Sequence, residues 1–300
     1  MRPDPAPLHE DHGHGLAQDL KAMAALASRR RALGLLAGAG GVAVLAACDS
    51  GGSSASELGT VTSPTTTASP TPAPTATATA TGSCIADPSE TAGPYPADGT
   101  NMSSGSTSNV LTASGVVRSD IRSSFVGSTT TAPGVPLTLT LTVVDVNAGC
   151  AALAGFAVYL WHCNRSGQYS LYSVPGESWL RGVLVTDAYG QVTFTTIFPG
   201  CYDGRYPHMH FEVYSSLANA TSGRYATLTS QLAMPADACR TVYNGDSGYS
   251  ASISNFSRVS TSSDNVFGDN SAAQIAQQTP TLTGSIAEGY TGSALIGIAR

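Results

Sequence analysis

Charge is scarce in this 300-residue chain: 11% of its residues are Asp, Glu, Lys or Arg, and the formal net charge is −6. There is no long basic run, which argues against a nucleic-acid partner, because phosphate binding needs clustered cations. The apolar stretch at 32–47 falls short of the ~20 residues a confident membrane-spanning helix requires. Past the first 47 residues there is no Cys-x-x-Cys pair, so a structural zinc ribbon is excluded. No stretch carries a sustained helical face, which removes helical bundles from consideration. What the chain has in abundance is Gly, Ser, Thr and Ala.

The N-terminus reads as an export signal. Ser28-Arg29-Arg30-Arg31-Ala32-Leu33 is twin-arginine-like, an apolar stretch follows, and Leu45-Ala46-Ala47-Cys48 resembles a lipobox. Residues 1–47 are therefore expected to be a signal peptide, with Met1 and Met23 both open as the start. Cys48 is expected to be lipidated and to anchor the protein to a membrane; an ordinary cleaved signal with a chance cysteine is the alternative. The expected location is the cell surface, as a lipoprotein, or the extracellular space. Removing this segment leaves nine basic and 16 acidic residues and three histidines, His162, His208 and His210. Residues 48–82 are a Ser/Thr/Pro/Ala tract too poor in apolar side chains to offset its ordering entropy, and they read as a disordered tether.

The folded domain is expected over 83–300. Pro136 to Val146 alternates Leu and Thr, the period of a half-buried strand. Further strand signals lie at 155–161, 182–186, 191–198, 207–214 and 294–299, separated by turn residues. They predict an all-β fold, a single β-sandwich with long loops. The stretch 245–285 reads mostly as loop, with a short helix around Ser271–Gln277. Cys84, Cys150, Cys163, Cys201 and Cys239 are disulfide candidates in an exported protein; five is odd, so at least one is free or paired between chains.

The chemistry concentrates at Tyr202-Asp203-Gly204-Arg205-Tyr206-Pro207-His208-Met209-His210. On a strand, residues i and i+2 share a face, so His208 and His210 can present two imidazoles to one point. Two nitrogens need further donors. Asp203 and Glu212 could supply a carboxylate, and the nearby tyrosines could supply phenolates.

The pairing of W-H-x-x-x-x-G-x-Y (Trp161 to Tyr169) with P-G-x-Y and R-x-x-H-x-H (Pro199 to His210) resembles the intradiol ring-cleavage dioxygenases, the group of catechol and protocatechuate dioxygenases. Glu90 to Tyr95, Arg118 to Ile121, Leu180 to Asp187 and Phe194 to Gly200 add matching fragments in order. The likeness is greatest to small secreted members, because the helical N-terminal segment of intracellular catechol dioxygenases is not found.

That resemblance implies a non-haem Fe(III) cofactor held by Tyr169, Tyr202, His208 and His210. It implies a catechol-type substrate bound through both oxygens, with the tyrosinate at Tyr202 displaced and taking up a proton. Arg205 would stabilise developing negative charge, and Tyr95, Arg205 and Trp179 would contact substrate. With O2, the ring would open between its hydroxylated carbons to a muconate-type diacid. Cys201, beside a ligand position, is expected in a disulfide or turned away.

Two other readings stay open: a non-catalytic, surface-tethered β-sandwich binding protein with a retained or vestigial metal site, and a zinc or copper site without oxygenase activity. Without the resemblance, the four donor positions could be a tyrosine-rich hydrogen-bonded core. His162 and Trp161 are expected to be structural, and Tyr159, Tyr172 and Tyr206 ordinary aromatic residues at strand ends. The identity of the catechol and the oligomeric state, a homodimer among the options, stay open.

Overall fold

The Leu–Thr alternation forms a strand whose leucines are all fully buried while its threonines are partly exposed. It is one of nine strands in the computed structural model, which describes residues 84–300. The expected signal, Cys48 and tether lie outside the described residues. In chain order the strands are β1 Pro136–Asp145, β2 Ala151–Ala152, β3 Ala157–Trp161, β4 Arg181–Val185, β5 Gln191–Ile197, β6 His208–Tyr214, β7 Leu228–Ala233, β8 Thr281–Ser285 and β9 Gly289–Ile298. Three α-helices, α1 Ala236–Gly245, α2 Ser250–Phe256 and α3 Ala272–Gln278, lie between β7 and β8.

The strands form two sheets. In the first, β1 pairs antiparallel with β5 and parallel with β9, β9 pairs with β8, and β2 caps the end of β1. Thr140 and Thr193, opposite each other, share a hydroxyl hydrogen bond of 2.9 Å. The second sheet has the order β4-β3-β6-β7, antiparallel throughout. Leu137, Leu139, Leu141, Val143 and Phe194 of the first sheet share one core with Val158, Leu160, Met209, Phe211 and Val213 of the second. This is the β-sandwich that the alternating pattern calls for.

Every residue of β3 and β6 is buried. One face of these strands meets the sandwich core. On the other, Tyr159, Trp161 and Tyr214 belong to a second cluster with Ala97, Val110 and Leu171, supplied by the loops. A loop layer thus closes over the outer face of the second sheet, and His208 and His210 lie beneath it, each 2% exposed.

The stretch 245–285 is more helical than its composition suggests. Helix α2 falls there, and α1 just before it buries Cys239, Val242 and Tyr243, an apolar face only one turn long. Helix α3 matches the short helix expected near Ser271–Gln277 and opens with a Ser271/Gln274 capping box. Cys84 and Cys150 form a disulfide, and Cys163, Cys201 and Cys239 are buried free thiols.

Candidate metal centre

Strand β6 dictates the first half of the site. Its period of two puts His208 and His210 on the same face, with their Nε2 atoms 3.1 Å apart. His208 Nδ1 donates to the Tyr206 carbonyl at 2.5 Å, which leaves the lone pair on Nε2. His210 is held by stacking on Trp161 of the neighbouring strand, with ring centroids 4.9 Å apart and planes 6° from parallel. Its Nδ1 is buried with no hydrogen-bond partner.

Two loops bring the phenols. The loop after β3 carries Tyr169, 1% exposed, and the loop after β5 carries Tyr202, half-buried. Tyr169 Oη lies 3.4 Å and Tyr202 Oη 3.2 Å from His208 Nε2. The motif glycines let these loops touch. Gly167 has φ +78°, and a Cβ there would sit 2.8 Å from the Cβ of Tyr202. Gly200 donates its N–H to the Asn164 carbonyl at 3.1 Å, and a Cβ there would meet the Arg165 carbonyl oxygen at 2.7 Å.

Burial sets the electrostatics. It lowers His208 to about 3, with the Arg205 cation adding to the effect. His210 is pushed well below the ordinary imidazole value by burial, then by His208 and Arg205. Both rings are therefore neutral, as metal ligands must be. Burial raises the Tyr169 phenol well above its usual range, and Arg205 works against that. A phenolate at Tyr169 needs a cation beside it.

The donor set fits a metal ion. His210 Nε2 and the two phenol oxygens each lie 3.1 to 3.4 Å from His208 Nε2. Ligands that each reach an ion at about 2.0–2.2 Å at angles near 100° have about this separation. Without a cation, two buried imidazole nitrogens and two phenols crowd one another for lack of a shared electrophile. Among the described residues no group of three or more His, Cys, Asp or Glu could hold a metal, so the phenols are essential to the set.

The Tyr95 ring lies 4.9 Å from that of Tyr169 and 5.1 Å from that of Tyr172. Arg205 is 1% exposed and ion-paired with Asp264 at 2.9 Å. Trp179 is not brought to the donors; it is buried in a separate cluster with Ala132, Leu180 and Ile197. Asp203 faces solvent and pairs with Arg258, and Glu212 accepts from Tyr214, so neither completes a carboxylate site. His162 bridges the Cys163 carbonyl and Thr196 Oγ1 within the sandwich. The thiol of Cys201 turns to the Arg205 carbonyl, and burial pushes it up to about 12, so no thiolate faces the donors.

Residues 116–209 match the family model Dioxygenase_C: Dioxygenase, ending one residue short of His210. An intradiol ring-cleavage dioxygenase from Tetranychus urticae is 24% identical, over 72% of this chain and 95% of that one, with a TM-score of 0.54. The domain has the intradiol ring-cleavage dioxygenase fold. The dioxygenase domain of a carbohydrate-binding fusion from Streptomyces sp. SirexAA-E is 21% identical over 72% of this chain and 99% of that one, at a TM-score of 0.43. Catechol 1,2-dioxygenase from Pseudomonas arvilla C-1 is 20% identical over 60% of this chain and 56% of that one, at 0.38. No curated protein matches the sequence.

Within the intradiol fold, three residues escape sequence reading. Arg181 donates to Ser170 Oγ and the carbonyls of Tyr95, Pro96 and Ser170, tying the Tyr95 segment to the Tyr169 loop. Gln231 of β7 and Asp264 both hold Arg205. Arg181 lies within the quoted Leu-Arg-Gly fragment, a signal that could have flagged it. Gln231 and Asp264 carry no local pattern.

Proposed function

We propose that the domain is a non-haem Fe(III) intradiol dioxygenase, held by Tyr169, Tyr202, His208 and His210, that opens a catechol-type ring between its two hydroxylated carbons. Catechol and O2 combine to give a muconate-type diacid, both oxygen atoms entering the product. The convergence of two phenols and two neutral imidazoles on one buried face of β6 carries this reading. Such a hard anionic set favours Fe(III) over Fe(II). When bound, ferric iron supplies the Lewis acidity and one-electron redox character that let an electron-rich ring react with O2.

The chain's own residues divide the remaining work. Tyr169, His208 and His210 are buried and braced, so they serve as permanent ligands. Tyr202, the half-buried member, can leave the set and hold a substrate proton on its Oη. The buried Arg205 cation lowers the proton affinity of Tyr169, His208 and His210. A cation so placed stabilises negative charge developing on a bound catecholate. The half-buried Tyr95 ring, against Tyr169, offers a flat apolar wall for an aromatic substrate.

Export and anchoring at Cys48 belong to the same proposal. The Cys84–Cys150 disulfide supports it, because such bonds persist in oxidising compartments.

Loading the protein with ferric iron tests the reading. Tyrosinate-to-iron charge transfer is expected to give a burgundy colour, and catechol with O2 to give a ring-opened diacid by mass. A colourless ferric-loaded protein would sink the proposal, and zinc or copper binding without oxygen uptake would replace it.

A further inference from the structure

Asp264, in the segment after α2, is a fully buried carboxylate opposite Arg205: their side chains are 0% and 1% exposed. Its Oδ2 accepts from Arg205 Nε at 2.9 Å and from the Tyr206 N–H at 2.7 Å. Its Oδ1 accepts from the Val266 N–H at 2.8 Å, the Phe267 N–H at 3.2 Å and Arg205 Nη2 at 3.4 Å. The bonds to 266 and 267 lock the carboxylate into its own turn. The other three grip the loop that leads into β6.

Two routes run from Asp264 to the donor set. One is the Arg205 guanidinium, whose Nη2 is also held by Gln231 Oε1 at 2.7 Å. Gln231 stands opposite His210 in the β6–β7 register. The other route is the peptide chain at 206: its N–H donates to Asp264, and its carbonyl accepts from His208 Nδ1 at 2.5 Å. Outer partners of this kind orient a ligand imidazole.

A buried ion pair is a costly device for stability, since well-packed apolar residues of similar volume often do as well or better. In a chain with so few charges, one buried beside the donors is better explained by the position it imposes. We infer that Asp264 is a positioning residue: it sets the plane of the Arg205 guanidinium and the orientation of the His208 ring without touching substrate. The functional part of this inference rests on the ferric dioxygenase reading.

The test has an arm that does not depend on that reading. In the metal-free protein, nitrogen-15 NMR should find a slowly exchanging Arg205 Nε–H. Asp264→Asn, which keeps the shape and removes the charge, should speed that exchange at least tenfold. Equal exchange in both proteins overturns the inference whatever the metal chemistry. With ferric iron, Asp264→Asn should keep the tyrosinate absorption yet lose about tenfold in kcat/KM for catechol. In an Arg205→Gln background the same change should cost clearly less than the tenfold it costs alone, the remainder passing through the 206 peptide to His208, and full additivity overturns the inference. If Asp264→Asn fails to fold, Asp264→Glu replaces it. Glu retains the charge and shifts the carboxylate by one methylene, so faster exchange and lower kcat/KM are still expected, and wild-type values of both overturn the inference. A wild-type protein that binds ferric iron and cleaves no catechol refutes the dioxygenase reading alone, because the exchange result stands without it.

Discussion

Tyr169 and Tyr202 are chemically identical side chains placed in different surroundings. Tyr169 is 1% exposed, and burial holds its proton tightly until a cation arrives; Tyr202 keeps contact with solvent. In the proposed site that contrast makes Tyr202 the member able to exchange a proton with substrate. Tyr202→Phe in the ferric protein is expected to weaken the visible absorption and slow turnover about a hundredfold, the low end of what a placed acid or base contributes. Stopped-flow turnover with catechol measures it, and an unchanged rate would refute the role. The residue types at these positions were legible in the sequence because the His-x-His spacing and the two tyrosine motifs are local. The surroundings of Trp179 were not legible for the opposite reason: it lies in a loop, where no period says which way a side chain turns, and the structure packs it with Ala132, Leu180 and Ile197.

At the scale of elements, helices α1 and α2 and the turn between them grip the loop that carries Tyr202. Tyr243 Oη donates to the Pro199 carbonyl at 3.0 Å and Tyr249 Oη to that of Phe198 at 2.8 Å. Ser252 Oγ accepts from the Cys201 N–H at 2.9 Å, and Asn255 Nδ2 donates to the Cys201 carbonyl at 2.8 Å. Phe198, Pro199 and Cys201 are thus fixed by side chains more than 40 positions away, which no local pattern announces. The third helix depends on its cap. Ser271→Ala removes one half of the capping box and should cost about 1 kcal/mol, or about 2–4 °C in Tm for a domain of this size. Calorimetry of the metal-free protein would show it, and an unchanged Tm would mean that packing alone holds α3.

Over the described residues as a whole, the segment that opens at Cys84 is stapled to the sandwich. The Cys84–Cys150 bond closes a separation of 66 residues. In the chain-entropy account a loop of that length is worth about 4 kcal/mol, so Cys150→Ser should lower the urea midpoint markedly. A midpoint equal to wild type would show that the bond constrains little. Asp87 holds the same segment, accepting from the Gly297 N–H at 2.6 Å and Gln277 Nε2 at 2.8 Å. Burial raises its carboxyl from 3.8 to about 6, against the pull of those two bonds. The folded chain therefore binds this proton more tightly than the unfolded chain does. The stability it contributes is complete below pH 3.8 and is lost as pH rises through about 6. Over that window the loss is about 3 kcal/mol. Urea unfolding at pH 4 and pH 7 should show the decline, and Asp87→Asn should flatten it; an identical slope in the variant would rule Asp87 out as its source.

The sequence by itself determined the sandwich class, six of the nine strands (all but β2, β7 and β8) and the residue types offered to a metal, because a period of two and short motifs are properties of neighbouring residues. It could not determine what buries those residues. Only the tertiary structure decided that the outer face of β3 and β6 is roofed by loops, that Trp161 braces His210, and that Arg205 is held by Gln231 and Asp264. Those contacts join positions 26 to 59 residues apart or more, and their energy depends on burial and on the meeting of charges in space. A chain read one residue at a time contains neither.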